Sequence, residues 1–328
     1  MSTRLLGLIG LLALAASALP GCTTKPPAQV WPDKPGPRVA TTFAALYCLA
    51  SSVAGPDGTV HTLLSDKGPH GYEFTPADAE KLRGANLLLI NGLGLDDELA
   101  KKVRSTIGAD AKLVAVGEAA VPRDRLIRDE DEDEKDDKDK GKPEHQHGEF
   151  DPHVWLGPPE AILMVEKIRD ELTALDPAHA DGYRQRAADT AARLRKLHED
   201  GKALLKDKKD RQLVTFHESL RYFARAYDLK IAGVVEVTPG TEPGIAQLNE
   251  LIKHCEKEHV RLIAVEPQYS AKNAGQTLLD ELRKSNKVPD AAFVEIDPIE
   301  TGPPEGLTLD YYEKTMRQNL DNLAKTMK

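Results

Sequence analysis

The sequence predicts an α/β protein of two (β/α) lobes with parallel sheets, joined by a long rigid backbone helix. From Arg38 onward, short apolar runs alternate with amphipathic stretches, the pattern of βαβ units and parallel sheet. The alternation occurs twice, on either side of a block that is helical throughout. At 328 residues the chain is long for one compact domain and comfortable for two.

In the first set, residues 39–43, 60–64, 87–91 and 112–116 are strand-like, with helical segments at 75–83 and 96–106. In the second, residues 212–216, 231–237, 262–265 and 292–296 are strand-like, with helical stretches at 218–227, 244–259 and 271–285. Between the sets, residues 158–175 carry Ile162, Val165, Ile168 and Leu172 at helical spacing. Asp176-Pro177 interrupts this helix and starts another, proline being well placed in a first turn. The second helix places Ala180, Tyr183, Ala187, Ala191, Leu194, Leu197 and Leu204 three or four residues apart. It runs about 30 residues to Asp207, roughly 45 Å, enough to bridge two lobes. The expected division is an N-terminal lobe over 38–157, a helical linker over 158–207 and a C-terminal lobe over 208–328.

Residues 1–22 read as an export signal: Arg4, an apolar run from Leu5 to Leu19, then Pro20-Gly21-Cys22. The short apolar core followed by a small residue and cysteine resembles a bacterial lipobox, which implies cleavage before Cys22 and lipid on its sulfur. The bland alternative is a plain signal peptide with an incidental cysteine. Residues 23–37 are Pro-rich and polar, as suits a tether. Cys48 and Cys255 then remain as free thiols. The body has no apolar run long enough to span a bilayer. Lys+Arg total 44 against Asp+Glu 53, and an acidic chain without a basic tract argues against nucleic acid as a partner.

Much of that negative charge is local. Residues 129–140 hold nine acids and three lysines, and His145 and His147 follow within an insert over 129–147. A block of like charge stays solvated. The sharper reading is a weak metal-collecting loop, since carboxylates and imidazoles both bind divalent cations.

Four potential ligands stand at informative places. His70 lies in a loop after the second strand-like run, and His153 at the entrance to the helical block. His217 follows directly on 212–216, and Asp297 directly on 292–296. The carboxyl ends of parallel strands are where α/β sheets place ligands. Two candidates come from each lobe, which puts a metal site in the cleft between them. Three imidazoles and a carboxylate form an N₃O shell that suits Zn²⁺, whereas Ca²⁺ or Mg²⁺ would take more oxygens. One carboxylate does not neutralise a divalent cation, so Glu73 or Glu266 is expected to assist from behind the ligands. His61, His179, His198, His254 and His259 read as strand or helix-surface residues.

The string Pro69-His70-Gly71-Tyr72-Glu73-Phe74-Thr75-Pro76-Ala77-Asp78 resembles the PHxYExTPxD signature of zinc and manganese ABC-transporter solute-binding lipoproteins, the cluster A-I, ZnuA/TroA-like family. Asn91-Gly92-Leu93-Gly94-Leu95-Asp96 is similar to its NGxGLE, and Asp151-Pro152-His153-Val154-Trp155-Leu156 to its DPHxWL. Residues 216–229 resemble its FHDAYxYFAxxYGL, and Thr241-Glu242-Pro243, Val265-Glu266-Pro267-Gln268 and Ile296-Asp297-Pro298 complete the series. The resemblance implies that His70, His153, His217 and Asp297 are the metal ligands. It implies a monomeric receptor, lipid-anchored to a membrane and facing the periplasm or cell exterior. Such a receptor delivers its ion to a membrane permease without catalysis. A histidine as third ligand goes with zinc in this family, so His217 favours Zn²⁺, although some three-histidine members also take Mn²⁺.

Three other readings compete. A zinc hydrolase would need an open fourth position for water, and neither HExxH nor a vacant position is expected here. A surface adhesin or structural lipoprotein with incidental metal is set apart from a transport receptor by deletion, since a growth defect under metal starvation that excess zinc rescues favours transport. A receptor for a larger ligand such as a siderophore fits poorly with 5% aromatics.

Overall fold

The computed structural model describes residues 31–328 apart from 71, 108–110, 129–147, 237–241, 268–273 and 304–305. Cys22, the export signal, most of the tether and the acidic insert with His145 and His147 lie outside the described residues. No described helix is long and apolar enough to cross a membrane.

Two four-stranded sheets, parallel at every pairing, are built from β1 (Arg38–Thr41), β2 (Thr59–Thr62), β3 (Leu87–Ile90) and β4 (Lys112–Ala115), then β5 (Gln212–Thr215), β6 (Lys230–Val234), β7 (Leu262–Val265) and β8 (Ala292–Glu295). The orders are β2-β1-β3-β4 and β6-β5-β7-β8, the same arrangement twice. The central strand β3 is Leu-Leu-Leu-Ile, buried at every position. An unbroken apolar run is what a parallel strand covered on both faces requires.

Around the first sheet lie α1 (Ala44–Ala54), α2 (Pro76–Leu82), α3 (Asp97–Ile107) and α4 (Val116–Ala120); α5 (Pro158–Leu175) and α6 (Ala180–Leu205) follow. The second sheet carries α7 (Arg221–Ala226), α8 (Ile245–Glu258), α9 (Ala274–Lys284) and α10 (Tyr311–Thr326). After Asp176-Pro177 the chain makes one 3-10 turn, Pro177–His179, before α6 begins. The bridging helix is therefore 26 residues, about 39 Å at 1.5 Å per residue and shorter than its periodicity predicts.

Helices α1, α5, α6 and α10 form a spine that both lobes share. Tyr183, Ala187, Leu194, Leu197 and Leu205 of α6 belong to one continuous apolar cluster. The same cluster holds Val39 and Leu87 of the first sheet and Leu213, Leu262 and Val294 of the second. A core common to both lobes couples them more firmly than a loop hinge would. Hydrogen bonds cross in the same region, from Trp155 Nε1 to the Pro298 carbonyl at 2.8 Å and from Gly302 N to the Ser65 carbonyl at 2.6 Å.

The described end of the tether is part of the first lobe. Trp31 is 5% exposed within the cluster that contains Leu82, Leu88 and Val103. Its Nε1 donates to the Arg83 carbonyl at 2.7 Å, and its ring meets His61 edge-on at 4.4 Å. Of the Pro-rich tether expected over 23–37, residues 23–30 lie outside the described residues, and Trp31 fills an apolar slot rather than standing open.

Candidate metal centre

The loop after β2 brings His70 to the cleft, and its motif explains how. Asp78 in the first turn of α2 accepts from Thr75 N at 2.9 Å, Thr75 Oγ1 at 2.7 Å and the Tyr72 hydroxyl at 2.8 Å. With Asp78 N donating back to Thr75 Oγ1, this is a capping box. The tyrosine, threonine and aspartate of the signature thus pin the His70 loop to a helix start.

His153 is fully buried. The turn after β3 prepares its place: Asp96 accepts from Asn91 N and Gly92 N at 2.9 Å each and from Thr42 Oγ1 at 2.6 Å. Asn91 Nδ2 then donates to the Pro152 carbonyl at 2.9 Å. From the second lobe, the Tyr222 hydroxyl donates to the Asp151 carbonyl at 3.1 Å and accepts from Ile127 N at 3.0 Å.

His217 stands at the end of β5 and Glu266 at the end of β7, neighbouring strands whose crossovers run to opposite sides. That is the switch point of an open α/β sheet, where ligands bind.

The structure brings His70, His153 and His217 together, with Glu300 as the carboxylate. One potential ligand atom from each lies within 4.8 Å of all the others. The imidazole centroids form a nearly equilateral triangle of 5.5, 5.3 and 5.4 Å. Glu300 Oε1 is 3.1 Å from Nε2 of His70, 3.1 Å from Nε2 of His217 and 3.4 Å from Nε2 of His153. All three rings thus aim Nε2 at one point. Glu300 Oε2 is buried and has no hydrogen-bond partner among the described residues. It rests where a Cβ on residue 68 would come within 2.9 Å, so the glycine there gives the carboxylate its room.

Asp297, the carboxylate expected from sequence, is not in this group. Its Oδ1 accepts from Ile299 N at 2.7 Å, and Asn319 holds its backbone from α10. Burial, with Glu300 and Glu266 nearby, pushes its carboxyl up to about 6 despite the Ile299 hydrogen bond. The following turn inverts at Ile299, φ 59, and delivers Glu300 instead.

Two carboxylates orient the rings. Asp151 Oδ1 accepts from His153 Nδ1 at 2.9 Å, and Glu266 Oε1 from His217 Nδ1 at 2.8 Å. A carboxylate can only accept here, so Nδ1 carries the proton and Nε2 faces the centre. Glu266 lies behind the His217 ring. Glu73, the other acid expected to assist, is exposed, and Asp151, two residues before its histidine, is the acid that meets the His153 ring. The DPH string carried that signal, because an acid at i−2 can reach back to Nδ1 and also cap the backbone, as the 2.8 Å bond from His153 N shows.

Charge is balanced within the group. Burial works to raise the Glu300 carboxyl, but the imidazoles of His70 and His217 and hydrogen bonds from His153 and His217 hold it well below the usual range. Burial likewise opposes charge on His217, yet Glu266 and Glu300 raise it well above the ordinary value. His153 is raised by Asp151 and Glu300 against the same burial. The centre is therefore built for a positive charge, a proton or a metal ion.

A family model described as zinc-uptake complex component A, periplasmic, matches residues 39–326. The zinc-binding protein AdcA of Streptococcus pyogenes serotype M6 is 30% identical over 309 residues, which cover 88% of this chain and 56% of AdcA. The chain thus spans about half the length of that relative. The manganese-binding lipoprotein MntA of Bacillus subtilis is 26% identical over 326 residues, covering 98% of this chain and 99% of MntA. Among solved structures, the solute-binding protein FpvC of Pseudomonas aeruginosa in complex with Mn²⁺ superposes with a TM-score of 0.73 at 25% identity, covering 89% of this chain and 98% of FpvC. A match that runs from the first strand to the last helix takes in both lobes and the spine, and the chain belongs to the zinc-uptake complex component A family.

Proposed function

We propose that this chain is an extracytoplasmic receptor that captures one zinc ion in the cleft and passes it to the membrane permease of an ABC transporter. The observation that carries the reading is the convergence of three Nε2 atoms and Glu300 Oε1 within 4.8 Å. His70, His153, His217 and Glu300 supply an N₃O set, which suits Zn²⁺ as a tetrahedron. Mn²⁺ is the competing cargo, as in the MntA relative. Glu300 takes the position that a zinc hydrolase leaves open to water, so the site serves capture rather than turnover. Cys22 carries the lipid that holds the protein, a monomer, at the membrane.

Metal content settles the central claim. Purified protein stripped with chelator and reloaded should hold one tight zinc per chain by elemental analysis, and keep it against manganese in direct competition. Absence of tight zinc would sink the reading. Intact mass of the native protein tests the anchor, which an unacylated Cys22 would remove.

A further inference from the structure

The segment from Asp297 to Glu300 is tied at every residue. Asn319 Oδ1 accepts from Asp297 N at 2.9 Å, and Asn319 Nδ2 donates to the Asp297 carbonyl at 2.8 Å. The Pro298 carbonyl accepts from Trp155 Nε1. Ile299 is fully buried at φ 59. A β-branched residue in the left-handed region is a strained outlier. A proline followed by a left-handed residue is a turn that ordinarily takes glycine or asparagine at its second position. Something has to hold isoleucine there, and one contact does so directly: Ile299 N donates to Asp297 Oδ1 at 2.7 Å. An aspartate bonding its backbone two residues on is an Asx-turn.

We propose that Asp297 is a positioning residue: its carboxylate holds Ile299 left-handed, and that inversion sets Glu300 among the three imidazoles. The inference rests on the proposed metal site and deepens it. Strain of this kind persists where the surroundings over-determine it, at sites whose geometry matters. Here Asn319 on α10 anchors one end of the turn and Trp155, two residues after His153, anchors its middle. Ile299 packs in the apolar core, and Asp297 supplies a side-chain hydrogen bond to the backbone of the inverted residue itself.

Asparagine separates positioning from ligation. Its side-chain oxygen makes the same Asx-turn, but as a neutral amide it is a poor substitute for a metal-bound carboxylate. Zinc affinity is measured by chelator competition, and site geometry by the visible absorption of the Co²⁺-loaded protein. Asp297→Asn should bind zinc within about threefold of wild type with an unchanged Co²⁺ spectrum, because the turn survives. Asp297→Ala should bind about tenfold to a hundredfold more weakly with a shifted spectrum, the scale of losing a residue that orients a ligand.

The proposal is overturned if Asp297→Asn binds as weakly as Glu300→Gln, or if Asp297→Ala binds like wild type. Should Asp297→Ala fail to fold, Asp297→Asn against Glu300→Gln decides alone, with wild-type affinity expected in the first and loss in the second. Wild type without tight zinc removes the metal site and this role with it, a result visible before any variant is made.

Discussion

The two sheets have the same strand order, yet they serve the centre by different routes. In the second lobe the switch point between β5 and β7 holds a ring directly, with His217 at the end of one strand and Glu266 behind it from the other. In the first lobe the corresponding place between β1 and β3 holds Thr42, Asn91 and Asp96, which hydrogen-bond to one another and prop Pro152. The imidazoles of that lobe arrive on loops, His70 after β2 and His153 beyond β4. The outer layers differ as well. Trp31 seals the first lobe beside α2, whereas α8 in the second buries only Cys255 and leaves Ile245 83% exposed. One topology therefore offers a ligand position twice, and local sequence decides whether it holds a ring or braces a loop.

If all four donors share one ion, the lobes should be equal in what they lose. His70→Ala, His153→Ala, His217→Ala and Glu300→Ala should each weaken zinc by about a thousandfold, near 4 kcal/mol, a fair share of a tight four-ligand site. His179→Ala and His254→Ala should leave it unchanged. Zinc at a thousandfold excess over Kd should stabilise wild type by about 4 kcal/mol, and melts of the four variants should lose that shift. A variant in one lobe that binds normally would break the symmetry.

The outer layers should separate in urea denaturation. Trp31→Ala removes a large buried ring and should cost about 3 kcal/mol or more. Ile245→Ser on the exposed start of α8 should fall within about 0.5 kcal/mol of wild type, as surface changes do. Equal costs would mean that α8 is covered in solution.

Protons sharpen the comparison further. In the metal-free protein His217 is raised well above 6.5 and His153 is raised from it. A folded pKa above the unfolded one contributes stability below 6.5 that is lost as pH rises through the folded values. Glu300 is depressed, so its contribution is present above 4.5 and lost as pH falls through its folded value. Metal-free stability should therefore peak between these limits and decline on the alkaline side. Zinc requires Nε2 unprotonated, so it should flatten that decline, and acid should release it. NMR titration should find His217 and His153 both holding their protons above the ordinary imidazole value.

The orienting carboxylates test whether route matters. Asp151 reaches His153 from two residues away, and Glu266 reaches His217 from 49 residues away. Asp151→Asn and Glu266→Gln should each cost about tenfold to a hundredfold in zinc affinity, because the contact is the same. A much larger loss at Glu266 would show that the strand-to-strand tie also holds the sheet.

The smallest change is expected from deleting 129–147. The bridge between Arg128 and Phe150 closes the neck of that insert, and Asp151 N donates to the Ile127 carbonyl at 2.9 Å. These contacts join the two ends of the insert and lead directly to Asp151 and His153, so tight zinc by calorimetry should be unaltered.

Periodicity alone placed the eight strands to within a residue or two at most ends. Buried parallel strands are written as short apolar runs, and β3 is the plainest. The three histidines were legible because each sits beside residues that build its loop: Tyr72, Thr75 and Asp78 for His70, Asp151 for His153, the end of β5 for His217. The carboxylate that the structure places beside them was not. Asp297 ends a strand and Glu300 lies three residues on, both acids near the same cleft. The choice between them turns on the sign of φ at Ile299, a residue whose type argues against the conformation it adopts. Contacts from Asn319, 22 residues later, and Trp155, in the other lobe, surround that turn. Sequence determined which elements form and which residues could ligate, because hydrophobic period and turn chemistry act over a few residues. Which carboxylate faces the imidazoles, and whether Trp31 packs or stays open, depends on groups that folding alone brings together, so only the tertiary structure decided them.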